Sequence, residues 1–407
     1  MGAFSSKICF LSSSVLLLLV FSNFSVPTSA SAAFIPRIAG TIHVRYDGGF
    51  GVPQYIAYDP SNKFMYVANT GFYCPTPQGC NASNERSKIA VIDTLSNKVI
   101  ALVPVGYGAD DIIYNPSNKE VYVVNILNDT VSVLKNTKVV ATIVVGPQCF
   151  CGQNLLYDPS NNLLYVGNTD SVSAINGSTN TVVATIKVAG GAQSLTYDAA
   201  NHEIYVATVF GASDTVSVIR GTKVVASVIV GPFLESMMYD PANKEVYAMS
   251  EYNISMINSF SNTVIATIQM PRGIIAEVIG YDQANKEVYV GGANDVDVAQ
   301  VFVISVFSHT VVATIDLSGI NKGRPGPFLN YIKYSPGDRN MYVSAEDLVG
   351  GGGAGFLAVL SSTTDSVVTG ITSMTLPYPL GLAYDPVSTK MYVVYPTANA
   401  VALIASD

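Results

Sequence analysis

The stretches YDPSNKFMYVAN (residues 58–69), YNPSNKEVYVVN (114–125) and YDPSNNLLYVGN (157–168) write nearly the same twelve residues in three places. Self-similarity at a long period is the signature of a repeat architecture, so it takes precedence over every local signal. The first tyrosine recurs at Tyr58, Tyr114, Tyr157, Tyr197, Tyr239, Tyr281, Tyr334 and Tyr384, with spacings of 56, 43, 40, 42, 42, 53 and 50 residues. Eight residues after each comes a second tyrosine: Tyr66, Tyr122, Tyr165, Tyr205, Tyr247, Tyr289, Tyr342 and Tyr392. That constant interval predicts a hairpin of fixed length. Its tip carries turn chemistry, because Pro presets the backbone angle, Asp bonds to nearby amides and Asn tolerates left-handed geometry.

After each hairpin come two more runs rich in Val, Ile and Thr, as in TVSVLKNTKVVATIVVG (130–146) and TVSVIRGTKVVASVIVG (215–231). These are strand compositions separated by turn residues. Each unit therefore holds four short strands, A to D, and a basal period near 42 residues matches a propeller blade. No segment sustains a 3.6-residue apolar period, which excludes helical repeats. The eighth unit stops at VALIASD (401–407), its strand C, while RIAGTIHV (37–44) reads like the D strand VVATIVV (139–145). The expectation is an all-β propeller of eight four-stranded blades, closed by residues 37–44 as the last strand of the last blade.

The YVAN, YVVN and YVGN segments after the Asp-Pro hairpin, followed by VxVIxxxTxxVVATIxVG, resemble the YVTN-type β-propeller repeats of archaeal and bacterial surface proteins. The resemblance covers essentially the whole chain beyond its first residues. It implies a secreted or cell-surface propeller and says little about activity, since propellers host unrelated functions. Seven blades are common in that family, so a count of eight is a departure.

Composition agrees with extensive burial. The 407 residues are 49% hydrophobic and 12% charged, far from a disordered chain. A net charge of -8 makes nucleic acid an unsuitable partner, because phosphate binding is driven by Lys and Arg. The first residues, with Lys7, an apolar stretch centred on Val15 to Phe21 and small Ala30, Ser31 and Ala32, read as a signal peptide over residues 1–32. Polar Ser12 to Ser14, Ser22 and Asn23 leave that stretch short of the roughly 20 residues a spanning helix needs. The expectation is export, with residues 33–407 forming one propeller and no transmembrane span after cleavage.

Cys9 departs with that leader. Cys74, Cys80, Cys149 and Cys151 remain, an even number that favours disulfides in an exported chain, with three pairings open. Metal binding is the weaker reading, because the usual Cys-x-x-Cys spacing is missing and no His lies near either pair.

Loop lengths discriminate between the two faces of the disc. The A to B interval is constant, and from the strand C anchor to the strand D anchor the interval is 11 or 9 residues. By contrast, the interval from the second tyrosine to the strand C anchor runs from 10 to 26, and D to A from 11 to 19. B–C and D–A connections emerge on the same face of an antiparallel blade, so the variation lies on one side, where binding usually sits. That face should carry TGFYCPTPQGCNASNERS (70–87), GPQCFCGQ (146–153), SGINKGRPGPF (318–328) and AEDLVGGGGAGF (345–356).

Four residues before each first tyrosine lies a second candidate: Gln54, Asp110, Gln153, Gln193, Glu235, Glu277, Asn330 and Leu380, with Asp111 adjacent to Asp110. This ring at the channel mouth could hold Ca²⁺ or hydrogen-bond a ligand, or it could satisfy loop amides. No other cofactor is expected. His43, His202 and His309 are placed on the N-terminal strand, an A–B turn and a C–D turn, leaving the variable face without a histidine acid, base or ligand. No nucleophile elbow, P-loop or dinucleotide fingerprint is present, and the absence of Trp separates the chain from the eight-bladed quinoprotein dehydrogenases. Sequons at Asn81, Asn128, Asn176 and Asn253 are no more than this composition produces by chance. Two functions follow: a non-enzymatic scaffold that binds protein, glycan or another copy through its variable face, and a Ca²⁺-dependent lactonase- or lyase-like enzyme using Asp110, Asp111, Glu235 and Glu277.

Overall fold

The computed structural model describes residues 35–44, 53–70, 72–76, 79–82, 86–148, 155–209, 215–294, 298–321, 327–347 and 355–405. The leader, Gln153, Cys149 and Cys151 lie outside the described residues. Eight four-stranded antiparallel sheets form the blades of a propeller. In blade 1 the strands are Pro53–Asp59 (A), Phe64–Asn69 (B), Lys88–Asp93 (C) and Lys98–Pro104 (D). The order repeats down to blade 8, whose strands A to C are Leu382–Asp385, Lys390–Tyr395 and Ala400–Ala405. Its outer strand is Arg37–His43, paired antiparallel with Ala400–Ala405 from Arg37 opposite Ala405 to His43 opposite Ala400. The ring closes as the sequence predicts. Among the described residues the one helical segment is the turn Ser318–Asn321.

Hairpin tips fold as their residues dictate. Asp59, Asp158, Asp198, Asp240, Asp282 and Asp385 are buried, and each accepts the backbone N–H two residues on, as Asp59 does from Ser61 at 2.8 Å. These are Asx turns. The tip ends on a left-handed residue at one repeat position, Lys63, Lys119, Asn162, His202, Lys244, Lys286, Arg339 or Thr389, with φ between 55° and 61°.

The core is divided between blades rather than contained within them. Eight clusters of buried apolar side chains each draw on two adjacent blades. Ile42 and Val44 beside Met65, Val67, Tyr392 and Leu403 make the cluster that joins blade 8 to blade 1. All eight second tyrosines are at most 1% exposed. Most lay their hydroxyl on the C–D turn of the next blade: Tyr66 donates to the Asn136 carbonyl at 3.0 Å, Tyr165 to the Gly221 carbonyl at 2.8 Å, Tyr289 to Asp365 at 2.7 Å and Tyr392 to Asn97 at 3.1 Å. Tyr342 turns to Asp338 of its own blade, and the Tyr247 hydroxyl has no partner among the described residues.

First tyrosines reach the other way. Tyr157 shares a 2.6 Å hydrogen bond with Ser117 of the preceding blade. Burial, and then Asp198 of the preceding blade, hold the Tyr239 hydroxyl above its ordinary range; burial and Asp240 do the same for Tyr281. In most blades the repeat's two most regular residues thus reach toward the two neighbours, one in each direction.

Strand D is an open edge, and every D strand slips register by one residue. Ile100, Val140, Val183, Val225, Ile265, Val312, Val368 and, in blade 8, Ala39 fall at the slip. A bulge at each rim blunts pairing with foreign strands.

Candidate functional site: the channel mouth and the loop face

The A strands surround the axis, each packed against the next. Near its start, each of those in blades 1, 2, 4, 5, 6 and 7 breaks register against strand B. The residue left over is the channel-mouth residue: Gln54 between Pro53 and Tyr55, Gln193 between Ala192 and Ser194, Glu235 between Leu234 and Ser236, Glu277 between Ala276 and Val278, and Asn330 between Leu329 and Tyr331. In blade 2 the slip falls across Asp110 and Asp111. A bulge frees a backbone N–H and re-aims a side chain, so the polar ring and the irregular backbone have one origin.

Several of these side chains serve the neighbouring blade. Asp111 accepts from its neighbour Ile112 N–H at 2.8 Å and from Leu155 N–H of blade 3 at 2.9 Å. Glu277 accepts from Leu329 N–H of blade 7 at 2.8 Å, and Gln193 donates to Glu235 of blade 5 at 3.0 Å. The Asn330 amide nitrogen is buried without a partner among the described residues. Asp110, Asp111, Glu235 and Glu277 are spread over blades 2, 5 and 6, and among the described residues no three His, Cys, Asp or Glu side chains are grouped as a metal site requires.

Confinement shifts these acids. Burial, with the Asp111 charge adding to it against a Tyr55 hydrogen bond, pushes Asp110 up to about 7. Burial also pushes Glu277 up to about 8, opposed by the Leu329 N–H and assisted by Glu346. Tyr55 of blade 1 and Tyr331 of blade 7 meet edge to face across the mouth, centroids 6.3 Å apart at 84°. Lys333, on the same A strand as Tyr331, is exposed yet walled in by protein, and lost hydration lowers it. Sequence reading missed Tyr55, Tyr331, Lys333 and Glu346, because nothing in the repeat marks them.

A pH dependence follows. Both carboxyls titrate higher folded than unfolded, so the native state holds more protons from the unfolded values of 3.8 for Asp110 and 4.5 for Glu277 up to about 7 and about 8 respectively. Their stabilisation is complete below the lower value and is lost as pH rises through the upper one. The melting temperature of the full chain is expected to fall from pH 5 to pH 8.5, and the double variant Asp110→Asn, Glu277→Gln to flatten that slope. An unchanged slope would show that these groups are ionised at neutral pH.

The loop face carries exposed aromatics outside the ring. Phe233, in the D–A connection to blade 5, is 54% exposed, and Tyr252 of the same blade's B–C loop is 50% exposed. Their rings meet edge to face at 6.1 Å and 88°. Phe233 stands at φ 61°, a left-handed conformation that a bulky residue adopts only at a cost of about 1–3 kcal/mol. Phe328 and Tyr107 add exposed aromatic surface on the same face. His202 and His309 lie in turns on the opposite face as expected, but His43 requires a correction. It ends an outer strand opposite Ala400, so it stands at the rim of the loop face, remote from the channel.

No family model matches the chain, and no curated protein matches it by sequence. Solved structures do resemble it. The C-terminal WD40 domain of Sif2 aligns at 10% identity over 91% of this chain and 98% of that one, with a TM-score of 0.66. The Dos1 propeller aligns at 10% identity over 92% and 96%, TM-score 0.67. Kuenenia stuttgartiensis hydrazine synthase aligns at 15% identity over 91% and 100%, TM-score 0.57. At that identity the likeness concerns the fold alone.

Proposed function

We propose that this chain is a secreted or cell-surface propeller of the YVTN type that acts as a binding scaffold, presenting its B–C and D–A loops to a protein or glycan. The observation that carries this reading is the Phe233–Tyr252 pair: two half-exposed rings held against each other, one on a strained backbone. Strain of this kind persists at ligand clamps, and exposed aromatics are the residues on which binding energy concentrates. The enzymatic alternative, a Ca²⁺-dependent lactonase or lyase, has less support, because Asp111 and Glu277 are engaged as acceptors for the next blade's N–H groups. Self-association through the same face belongs to the binding reading.

Glycan arrays and panels of extracellular proteins supply the test. Phe233→Gly should leave the melting temperature unchanged or raise it, since glycine takes φ 61° without strain, while weakening target binding about tenfold or more. Phe260→Ala and Phe307→Ala, on exposed turn-face rings beneath Lys244 and Lys286, should not weaken it. Binding lost with the turn-face pair and kept with Phe233→Gly would refute the assignment.

A further inference from the structure

The residue before each first tyrosine lies on strand A, further along the channel than the mouth ring. It is uncharged in every blade but the seventh, which carries Lys333. At this position Ala57, Ile113, Leu156 and Met238 are half-buried against the next blade's apolar cluster, Ala383 is buried, and Lys333 alone is exposed. Lys333 stands opposite Tyr342 in the same unbroken register that sets Tyr331 opposite Ser344. Tyr331 and Lys333 therefore leave one side of their strand, about 6–7 Å apart along it. In blade 8 the position of Tyr331 is taken by Gly381, so close to blade 1 that a Cβ there would strike the Gln54 carbonyl. With no side chain between them, Tyr331 and Tyr55 meet over blade 8, and Lys333 stands between that aromatic pair and the A–B turns.

Among the described residues Lys333 has no hydrogen-bond or ion-pair partner. Enclosure alone, through lost hydration, holds its ammonium below the ordinary lysine range, and Asp110, Glu277 and Glu346 are shifted without any contribution from it. An enclosed ammonium without a counter-charge is unfavourable, and an anion entering the channel relieves it. Two features choose among anions. The carboxyl groups of Asp110, Asp111, Glu277 and Glu346 at the mouth disfavour a ligand with more than one negative charge. The half-buried Ile113, Leu156 and Met238 favour a hydrocarbon tail over a bare halide. We propose that the central channel binds a small aliphatic monocarboxylate, with Lys333 as its counter-ion and the apolar strand A residues around its tail. This site is separate from the loop face and does not depend on the scaffold reading.

The test is brief labelling of the folded full chain with acetic anhydride, followed by tryptic digestion and mass spectrometry. Acetylation of Lys333 blocks cleavage there and yields residues 323–339 in place of 323–333 and 334–339. Sodium butyrate at about ten times its Kd should slow that labelling about tenfold, while exposed Lys98 and Lys138 label as before and sodium chloride at the same concentration has no effect. Equal slowing by chloride overturns the ligand class. No slowing by butyrate, or a Lys333 that never labels, overturns the site. In a thermal melt butyrate should raise the melting temperature of the parent chain and of Lys333→Arg but not of Lys333→Met; a rise undiminished in Lys333→Met would place the acid elsewhere and overturn the assignment. The labelling needs no variant to fold, and neither readout involves a loop-face target, so failure here is distinguishable from failure of the proposed function.

Discussion

Deleting residues 1–44 is expected to open the ring. Strand Arg37–His43 covers Ala400–Ala405, a strand buried at every position, and without it that strand becomes an unprotected edge. Ile42 and Val44, 6% and 0% exposed, would leave the cluster between blades 8 and 1, and burial of two such side chains contributes about 3–6 kcal/mol. Urea titration should show a midpoint lowered accordingly, accompanied by aggregation. A synthetic peptide of residues 35–44 should restore part of the loss, since main-chain pairing with an exposed edge is a route to strand addition. A midpoint equal to that of the intact chain would contradict closure by this strand.

The second large effect is expected at the buried tyrosines. Tyr165→Ala removes a fully buried ring from the cluster shared by blades 3 and 4, where it packs with Ile186, Ile204 and Ile219. It also removes the donor to the Gly221 carbonyl. Large-to-small changes at such sites cost about 3–5 kcal/mol. Tyr165→Phe keeps the packing and should cost about 1 kcal/mol, the net contribution of one hydrogen bond. Tyr157→Ala, at the half-buried first position, should cost less than Tyr165→Ala. Urea midpoints at constant m-value separate these outcomes; equal losses at Tyr157 and Tyr165 would mean that the second tyrosine has no special part in joining blades.

The eight-residue tyrosine interval made blade number and closure legible because it reflects two constraints at once. The Asx turn sets hairpin length, and the distance to the next blade's C–D turn sets where a hydroxyl can land. The channel-mouth positions could be picked out for a related reason: they sit at a constant offset from the first tyrosine. Their employment was not. Whether Glu277 faces a ligand or the Leu329 N–H depends on a register slip between strands A and B, and a slip leaves no mark in a list of residue types. Phe233 escaped notice because its signal is a backbone angle. His43 was placed by strand but not by strand end, and only its pairing with Ala400 puts it at the loop-face rim.

The most direct test is a hydrogen-exchange footprint of the full chain with and without a target recovered from the arrays. Binding through the loop face predicts new protection at the amides around Tyr107, Phe233, Tyr252 and Phe328, with the turns at Lys63, Lys119, Lys244 and Lys286 unchanged. Protection confined to those turns, with the loop-face amides exchanging as in the free chain, would contradict the account.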